Sequence, residues 1–381
     1  MKTDRIKLRS VFEFILIVVL SLTFIIIGNN YCAYDTTGND AAAESAKVIK
    51  ITDIYTENID GMENTVIEFQ GKMLTGKLKG QTIEMEQDIN EVTLDKPAPI
   101  KEGDRVLVSH TNLMGDGETG AEWYYFQQDR LPGLAVLGIL FLVMLLVIGK
   151  MKGLTTIISL GFTGAAVFCV YIPAILSGKN IYVTTVIITV YIIFASLMLL
   201  NGINKKTWCA IVGNIGGILL TAVLAVIVNA SLKITGMIDE SYVYLANAGS
   251  TFMIDLRAIV WSCIIIGSLG AIMDVSMSIA SAMHELALEM KERSFGRMVR
   301  SGMNIGRDAI GTMTITLVLA FTGSSIGSLL LFMVNNRSFN ILMNLEMVVV
   351  EVIQAVVGSM GILLAVPITV VFAAWIFNRK K

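Results

Sequence analysis

Residues 133–149 read GLAVLGILFLVMLLVIG, an apolar run that contains no charged residue. Arg130 and Lys150 flank this run, as basic residues do at the ends of a helix that crosses a membrane. A helix needs about 20 mostly apolar residues to cross the hydrocarbon core of a bilayer. Comparable runs recur along the chain, at residues 11–28, 133–149, 153–175, 181–201, 208–229, 257–279, 309–333 and 346–377. The sequence therefore predicts an all-α polytopic membrane bundle of about eight transmembrane helices.

The composition indicates the same class of protein. Of the 381 residues, 54% are hydrophobic and 16% are charged, whereas soluble domains carry about 25% charged residues. This excludes an ordinary soluble enzyme. The four cysteines are scattered, without a CxxC pair or the spacing of metal ligands, so we expect no metal, no other cofactor and no disulfide framework. They are Cys32, Cys169, Cys209 and Cys263.

Basic residues are divided unequally between the segments that join the predicted helices. One set of segments carries sixteen of them, namely Lys2, Arg5, Lys7, Arg9, Lys150, Lys152, Lys205, Lys206, Lys291, Arg293, Arg297, Arg300, Arg307, Arg379, Lys380 and Lys381. The opposite short loops offer Lys179, Lys233 and Arg337, with Arg257 at a membrane boundary. By the positive-inside rule both termini face the cytoplasm and residues 29–131 lie outside the cell. The surplus charge reflects this topology, so we expect the lipid bilayer and not nucleic acid as a partner.

Two details of the topology have alternatives. The first apolar run could be a cleaved signal peptide, but residues 28–32 (GNNYC) offer neither small residues for cleavage nor a lipoprotein-like sequence. We therefore favour an uncleaved N-terminal anchor over 1–28. In the last run, Pro367 is expected to kink the helix or to divide it into two parts.

Residues 29–131 form a separate extracytoplasmic domain before a seven-helix region at 132–381. This segment holds 9 basic and 19 acidic residues. Its start, residues 35–47, is polar and resembles a tether, and after it apolar and polar residues alternate with a period of two. Glycines separate these short stretches, which is typical of strands joined by turns. We expect a small β-rich domain, of which an OB-like barrel is one form. Residues 123–126 (WYYF) are interpreted as an interfacial belt or last strand, with a platform for stacking a ligand as the alternative.

Polar residues inside apolar runs indicate where the chain could act, because a charge in the middle of such a helix costs about 2.5–3.5 kcal/mol and must face water or a partner. In the sixth predicted helix, Asp274, Ser278, Ser281 and Glu285 recur at helical spacing and share one face. These groups could line a path for an ion. Alternatively, the serines permit close packing of helices and Asp274 is solvated near the interface.

The seventh and eighth runs add further polar groups. Asn304, Asp308 and Gly311 share one face of the seventh helix, with Arg307 beside it. We expect Asp274 to be the partner of Arg307, either in a static pair or in one that switches. In the eighth run, one face of the predicted helix begins with polar side chains and continues with small residues. These are Glu351, Gln354, Gly358, Gly361 and Ala365. Asn214 in the fifth run is interpreted as a polar contact between helices.

Three segments resemble the YibE/F family of bacterial membrane proteins: residues 270–286 with the core MDVSMSIASA, residues 300–313 (RSGMNIGRDAIGTM) and residues 357–369 (VGSMGILLAVPIT). The order of one anchor, an outside domain and a helical bundle is also similar to that family. The resemblance implies a multi-pass plasma-membrane protein whose biochemical activity is not established. The motif residues that it carries over are Asp274, Ser278, Ser281, Asn304, Arg307, Asp308 and Gly311. Residues 314–316 (TIT) depart from the more polar stretch expected there.

The sequence favours a secondary transporter or permeation protein for an ion or small solute. Its candidate intramembrane path comprises Asp274, Ser278, Ser281, Asn304, Arg307, Asp308, Glu351 and Gln354. We expect no enzymatic activity, because the chain has no HExxH, P-loop or nucleophile-elbow motif in a suitable context. The alternative is a non-catalytic membrane scaffold or sensor whose outside domain binds a ligand or protein. In either case a homo-oligomer or a second membrane subunit is a possible partner.

Overall fold

The computed structural model describes residues 2–32, 43–59, 62–90, 97–110, 123–248, 254–290, 294–334 and 338–378. The chain forms two compact units. One comprises Asp35–Val147, and the other combines Met1–Tyr34 with Ile148–Lys381. We call them the barrel unit and the helical unit.

The barrel unit contains five strands that close into a barrel in the order β1-β2-β3-β5-β4. The strands are β1 (Glu44–Ile59), β2 (Met62–Met73), β3 (Thr82–Asn90), β4 (Arg105–Ser109) and β5 (Tyr124–Gln128). All neighbouring pairs are antiparallel except β3 with β5, which is parallel. The β-rich character expected from the period-two pattern is confirmed.

Alternating residues of these strands fill the inside of the barrel. The large buried side chains include Phe69, Met85 and Trp123, each exposed by 2% or less. The ring of Trp123 also lies 3.7 Å from that of His110. The run at 123–126 thus continues into the last strand, as one of its interpretations predicts. Of the tether expected over residues 35–47, residues 35–42 lie outside the described residues. The expectation is wrong for residues 44–47, because β1 begins at Glu44 and pairs there with β4.

The remaining described elements are helical. They are α1 (Lys2–Tyr31), α2 (Leu131–Ala165), a π-helical turn (Ala166–Tyr171), α3 (Ile172–Leu176), α4 (Ile181–Asn201), α5 (Lys205–Ser231), α6 (Glu240–Ala248), α7 (Leu256–Glu289), α8 (Phe295–Val334), α9 (Phe339–Leu342) and α10 (Glu346–Asn378). Within the described residues, seven helical stretches are long and apolar enough to cross a membrane.

The second and third predicted runs form one of these stretches, Leu131–Leu176, which is 46 residues long. No loop separates them. The backbone of Lys150 is non-helical (φ 49°, ψ −125°), so two helices meet directly at this residue. The stretch is about twice the length that one crossing needs.

Two other helices differ from the sequence prediction in extent. Pro367 lies inside α10, which continues to Asn378 and is not divided. The predicted run at 309–333 begins far too late, because α8 starts at Phe295. The apolar run was delimited by charged residues, which do not end a helix. Helical hydrogen bonds join backbone groups of the same segment, so α8 includes charged residues as well.

Helices α5, α7 and α10 form the centre of the helical unit, and glycines bring them close together. A Cβ on Gly217 of α5 would lie 2.7 Å from the Cβ of Ala365 and 3.0 Å from Cγ2 of Ile272. On α10, Gly361 lies against Thr221 and the same Ile272. The face of α10 that was predicted to carry small residues is therefore the face that packs against α5 and α7. Such small residues allow the close approach of helix backbones that is typical of membrane bundles.

Candidate functional site

The two ends of the helical unit differ in charge, which provides a reference for depth. Lys205 and Lys206 begin α5, and Arg300 lies near the start of α8. We call this side of the unit the basic end. Gly302 of α8 packs against Met283 of α7, so Arg300 lies beside the last turns of α7. Distances from the basic end follow from the rise of about 1.5 Å per helical residue.

Asp274 lies close to the middle of α7, which runs from Leu256 to Glu289. It is about 16 Å along the helix axis from Glu285, near the basic end. Its side chain is exposed on the surface of the helical unit. Asp274 therefore lies within α7 and not at its end, because the helix continues well beyond residue 279; its position relative to the membrane interface stays a prediction.

The stripe predicted from the spacing of α7 is present on the outer surface of the unit. Ser278 is exposed one turn from Asp274, and Ser281 is half-buried one turn further towards the basic end. Gly270 continues the stripe in the other direction, and a Cβ added there would meet no other atom within 4 Å. These side chains therefore do not point into the core of their own chain.

The predicted polar residues of α8 are also exposed. Asn304, Arg307 and Asp308 all have exposed side chains. Next to them, Gly306 packs inwards against Val366 of α10, and Ile279 of α7 is also near it, so their helix is held against both neighbours. The exposed sides of α7 and α8 together carry Asp274, Ser278, Ser281, Asn304, Arg307 and Asp308, which we call the α7–α8 face.

The expected pair of Asp274 with Arg307 is not formed. The Nη1 atom of Arg307 donates to Oδ1 of Asn304 at 3.3 Å. Gly302 of α8 contacts Met283 of α7, and the two helices are antiparallel. Nine residues away from this contact, Asp274 of α7 is at the same depth as Gly311 of α8. Arg307 therefore lies about one helical turn nearer the basic end than Asp274. Opposite charges thus lie on one face at neighbouring depths without an ion pair between them.

Glu351 and Gln354 lie apart from the α7–α8 face, towards the other end of α10. Glu351 is half-buried and lines a cavity of about 200 Å³ between α8 and α10. Its Oε2 atom is buried and has no hydrogen-bond partner. In α6, burial raises the pKa of the Tyr242 phenol to about 12, and Cys263, Asp239 and Glu351 raise it further.

Three buried polar side chains were not part of the predicted path. Asn214 and Ser276 are 0% exposed and Thr189 is 1% exposed, and their polar side-chain atoms have no hydrogen-bond partner. Asn214 thus lies in the packed core, as expected for a polar contact between helices, but its amide forms no hydrogen bond there. Ser276 stands only two residues after Asp274, but spacing on one helix cannot show which hydroxyls lack a partner.

The class is defined by a small β-barrel together with seven helical stretches, within the described residues, that are long and apolar enough to cross a membrane. The model of the YibE/F-like protein family matches residues 137–379. The chain therefore belongs to the YibE/F-like family, which confirms the resemblance seen in its motifs. No curated protein and no solved structure matches it.

Proposed function

We propose that this protein is a secondary transporter or permeation protein for an ion or small solute, acting at the α7–α8 face. The observation that carries the proposal is the exposed carboxylate of Asp274 near the middle of α7. A charge at the centre of a bilayer costs about 2.5–3.5 kcal/mol if lipid surrounds it. The face therefore needs water, a permeating ion or another protein subunit against it.

The residues of this face have different roles in the proposal. Asp274 and Asp308 bind or relay a cation or proton. Ser278, Ser281 and Asn304 supply neutral oxygen atoms along the same surface, and Arg307 acts as a charge that moves between Asn304 and a carboxylate. Because the face is open in a single chain, its other wall belongs to a second copy or a second membrane subunit.

The groups at the other end fit the same proposal. Glu351 and Gln354 lie nearer the end of the bundle that the distribution of basic residues assigns to the outside of the cell. Their side chains are therefore placed to be the first polar groups that an ion from outside the cell meets. In this topology both termini are cytoplasmic, residues 29–131 with the β-barrel lie outside the plasma membrane, and the two helices that meet at Lys150 cross it separately. The proposed mechanism uses neither a catalytic step nor a cofactor.

The test is ion flux through the full-length protein in liposomes that contain a pH-sensitive or Na⁺-sensitive dye. We expect Asp274→Asn and Asp308→Asn each to reduce the flux at least about tenfold, since each removes a charge that binds the cation. Asp255→Asn is the matched control, because it removes a charge at the N-cap of α7 and Asn also caps helices well. Wild-type flux in both face variants would contradict the proposal.

The alternative function is a membrane scaffold or sensor. The observation that favours it is the barrel unit, which has its own core around Phe69, Met85 and Trp123 and an acidic sequence suited to basic partners or cations. Deletion of residues 35–130 separates the two functions. A scaffold or sensor loses its cellular phenotype in this variant, whereas a transporter retains ion flux.

A further inference from the structure

Two basic residues that are far apart in the sequence line one cleft at the end of the helical unit opposite the basic end. Lys233 follows α5 and Arg257 begins α7. They lie at this end because α5 begins at the basic end and α7 ends there. The cleft has a volume of about 510 Å³. We call it the α4–α5–α7 cleft, and its other lining residues include Tyr182, Val226, Asn229 and Trp261.

The segment that follows α5 is held against the start of α7, which brings the two cations together. A Cβ on Gly236 would lie 2.9 Å from the backbone nitrogen of Arg257. Gly236 has a φ of 91°, and Lys233 itself has a φ of 54°. A positive φ is uncommon for a residue other than glycine, so the chain adopts an unfavourable conformation at the point where Lys233 meets the cleft.

The positive charge of the cleft is not neutralised by the protein. Within the described part of the chain, neither cationic side chain forms a hydrogen bond or an ion pair. Two carboxylates lie nearby in the structure, but neither lines the cleft and both accept from backbone N–H groups. Asp255 caps the start of α7, and Glu346 accepts from Thr235 N at 2.7 Å and from Gly236 N. A concave surface with two uncompensated cations attracts an anion.

The other groups of the cleft restrict the kind of anion. The rings of Tyr182 and Trp261 lie 4.9 Å apart, and these two residue types are enriched where a membrane meets water. The Oδ1 atom of Asn229 is buried and has no hydrogen-bond partner among the described residues. Buried polar atoms almost always have a partner, and a carbonyl oxygen requires a donor. The groups therefore suit a ligand that carries both an anion and a hydroxyl.

An apolar surface of α5 continues from the cleft towards the middle of the helix. Leu219, Val223 and Val226 are exposed and recur every three or four residues, so they share one side of α5. Val226 also lines the cleft. From Leu219 to Asn229 the helix rises about 15 Å, which is about half the hydrocarbon core of a bilayer. One side of α5 thus presents apolar residues first, then an amide and finally a lysine, which is the order of groups along a phospholipid from chain to phosphate.

We propose that the α4–α5–α7 cleft binds the headgroup of an anionic phospholipid that carries a hydroxyl, as phosphatidylglycerol does. Lys233 and Arg257 bind the phosphate, for which a guanidinium provides two parallel hydrogen bonds. Oδ1 of Asn229 accepts from the headgroup hydroxyl, and one acyl chain lies along Val226 and Val223. The site shares no residue with the α7–α8 face, so the inference does not depend on the proposed transport.

The experiment measures thermal unfolding of the full-length protein in detergent micelles that contain phosphatidylglycerol or the same amount of phosphatidylcholine. A thiol-reactive dye reports the transition of the helical unit, because Cys209 is fully buried there and residues 35–147 contain no cysteine. A ligand that binds only the folded state raises the unfolding midpoint. We expect the midpoint in phosphatidylglycerol to exceed that in phosphatidylcholine by about 3 °C or more.

Charge-removing variants test whether the effect arises in the cleft. Arg257→Gln and Lys233→Asn should each reduce the difference between the two lipids by at least about half. Asn is chosen at position 233 because it adopts a positive φ readily. Lys179→Gln is the matched control: Lys179 precedes α4 at the same end, but its ammonium lies 4.2 Å from the ring centroid of Tyr31 and does not line the cleft. This variant should keep the full difference.

Equal midpoints of the wild-type protein in the two lipids would overturn the inference. An equal loss in Lys179→Gln would also overturn it, because the effect would then be a general attraction of basic residues to an anionic surface. If free glycerol phosphate in phosphatidylcholine micelles gives the same rise, the cleft binds a soluble anion and not a lipid. If Arg257→Gln does not fold, Lys233→Asn tests the same prediction.

These results are independent of the flux assay. A lipid effect that requires Lys233 and Arg257, together with unchanged flux in the Asp274 and Asp308 variants, would support the lipid site and contradict the transport proposal. Loss of flux in those variants with equal midpoints in the two lipids would do the reverse.

Discussion

The two sides of α7 differ in what their polar residues face. The inner side carries Ser276 in a core so close that a Cβ on Gly217 of the neighbouring helix would have no room. The outer side carries Asp274 and Gly270 and has open space around it. Burial of a polar group costs free energy unless the group forms a hydrogen bond, so a folded core contains few of them. An uncovered side with a charge at mid-helix indicates a surface that contacts water or another chain.

The largest expected effect is a difference in stability between a substitution in the packed core and one on the outer side of α7. Gly217→Val places side-chain atoms where Ala365 Cβ already lies, 2.7 Å from the new Cβ, and should destabilise the folded state by about 3 kcal/mol or prevent folding. Gly270→Val adds the same atoms on the outer side, where no atom lies within 4 Å, and should change stability by less than about 0.5 kcal/mol. Thermal unfolding and gel filtration in detergent compare the two variants. Equal stability would show that the inner contacts are not tight.

A smaller effect of opposite sign is expected within the core. Asn214→Leu should stabilise the protein by about 1–3 kcal/mol, because it removes buried amide atoms that have no partner. Thr221→Val on the same helix is the control, since its buried hydroxyl already donates to Gly217 O at 2.9 Å. It should give no gain. Destabilisation by Asn214→Leu in thermal unfolding would mean that the amide is bonded in the folded protein.

The smallest expected effect compares two aspartates of α7. Asp255 is its N-cap and accepts from the backbone N–H groups of Arg257 and Ala258 at 3.1 and 3.2 Å, so Asp255→Ala should cost about 1 kcal/mol. Asp274→Ala removes no hydrogen bond or ion pair within the described part of the chain and should change the stability of the single chain by less than about 0.5 kcal/mol. Both values come from thermal unfolding in detergent. A loss at Asp274 as large as that at Asp255 would reveal a partner within the same chain.

Much of the fold follows from the sequence because hydrophobic length and period are local properties. The apolar run at 133–149 and the alternation in the barrel unit each identify their element without knowledge of its neighbours. Helix ends are harder to predict, since α8 extends through charged residues to Phe295. The break at Lys150 replaces a loop because a single residue with positive φ is enough to separate two helices.

The candidate site was predictable only in part. Spacing correctly places Asp274 and Ser278 on one side of α7, and Asn304 with Asp308 on one side of α8. Whether such a side faces inwards depends on contacts with other helices, which a single sequence does not contain. The same reason explains Asn214, which has the spacing of a polar contact between helices but no bonded partner.

The most direct test of the proposed path is the reactivity of single cysteines in the membrane. In a full-length protein without its four native cysteines, Asp274→Cys and Ser278→Cys should react with a thiol reagent that does not cross the bilayer. Val223→Cys is the control, because Val223 is an exposed apolar residue of α5, a helix long and apolar enough to cross a membrane, and should face lipid. Reaction at both face positions and not at the control is the predicted result. No reaction at position 274 or 278 from either side of the membrane would contradict a water-accessible path along the α7–α8 face.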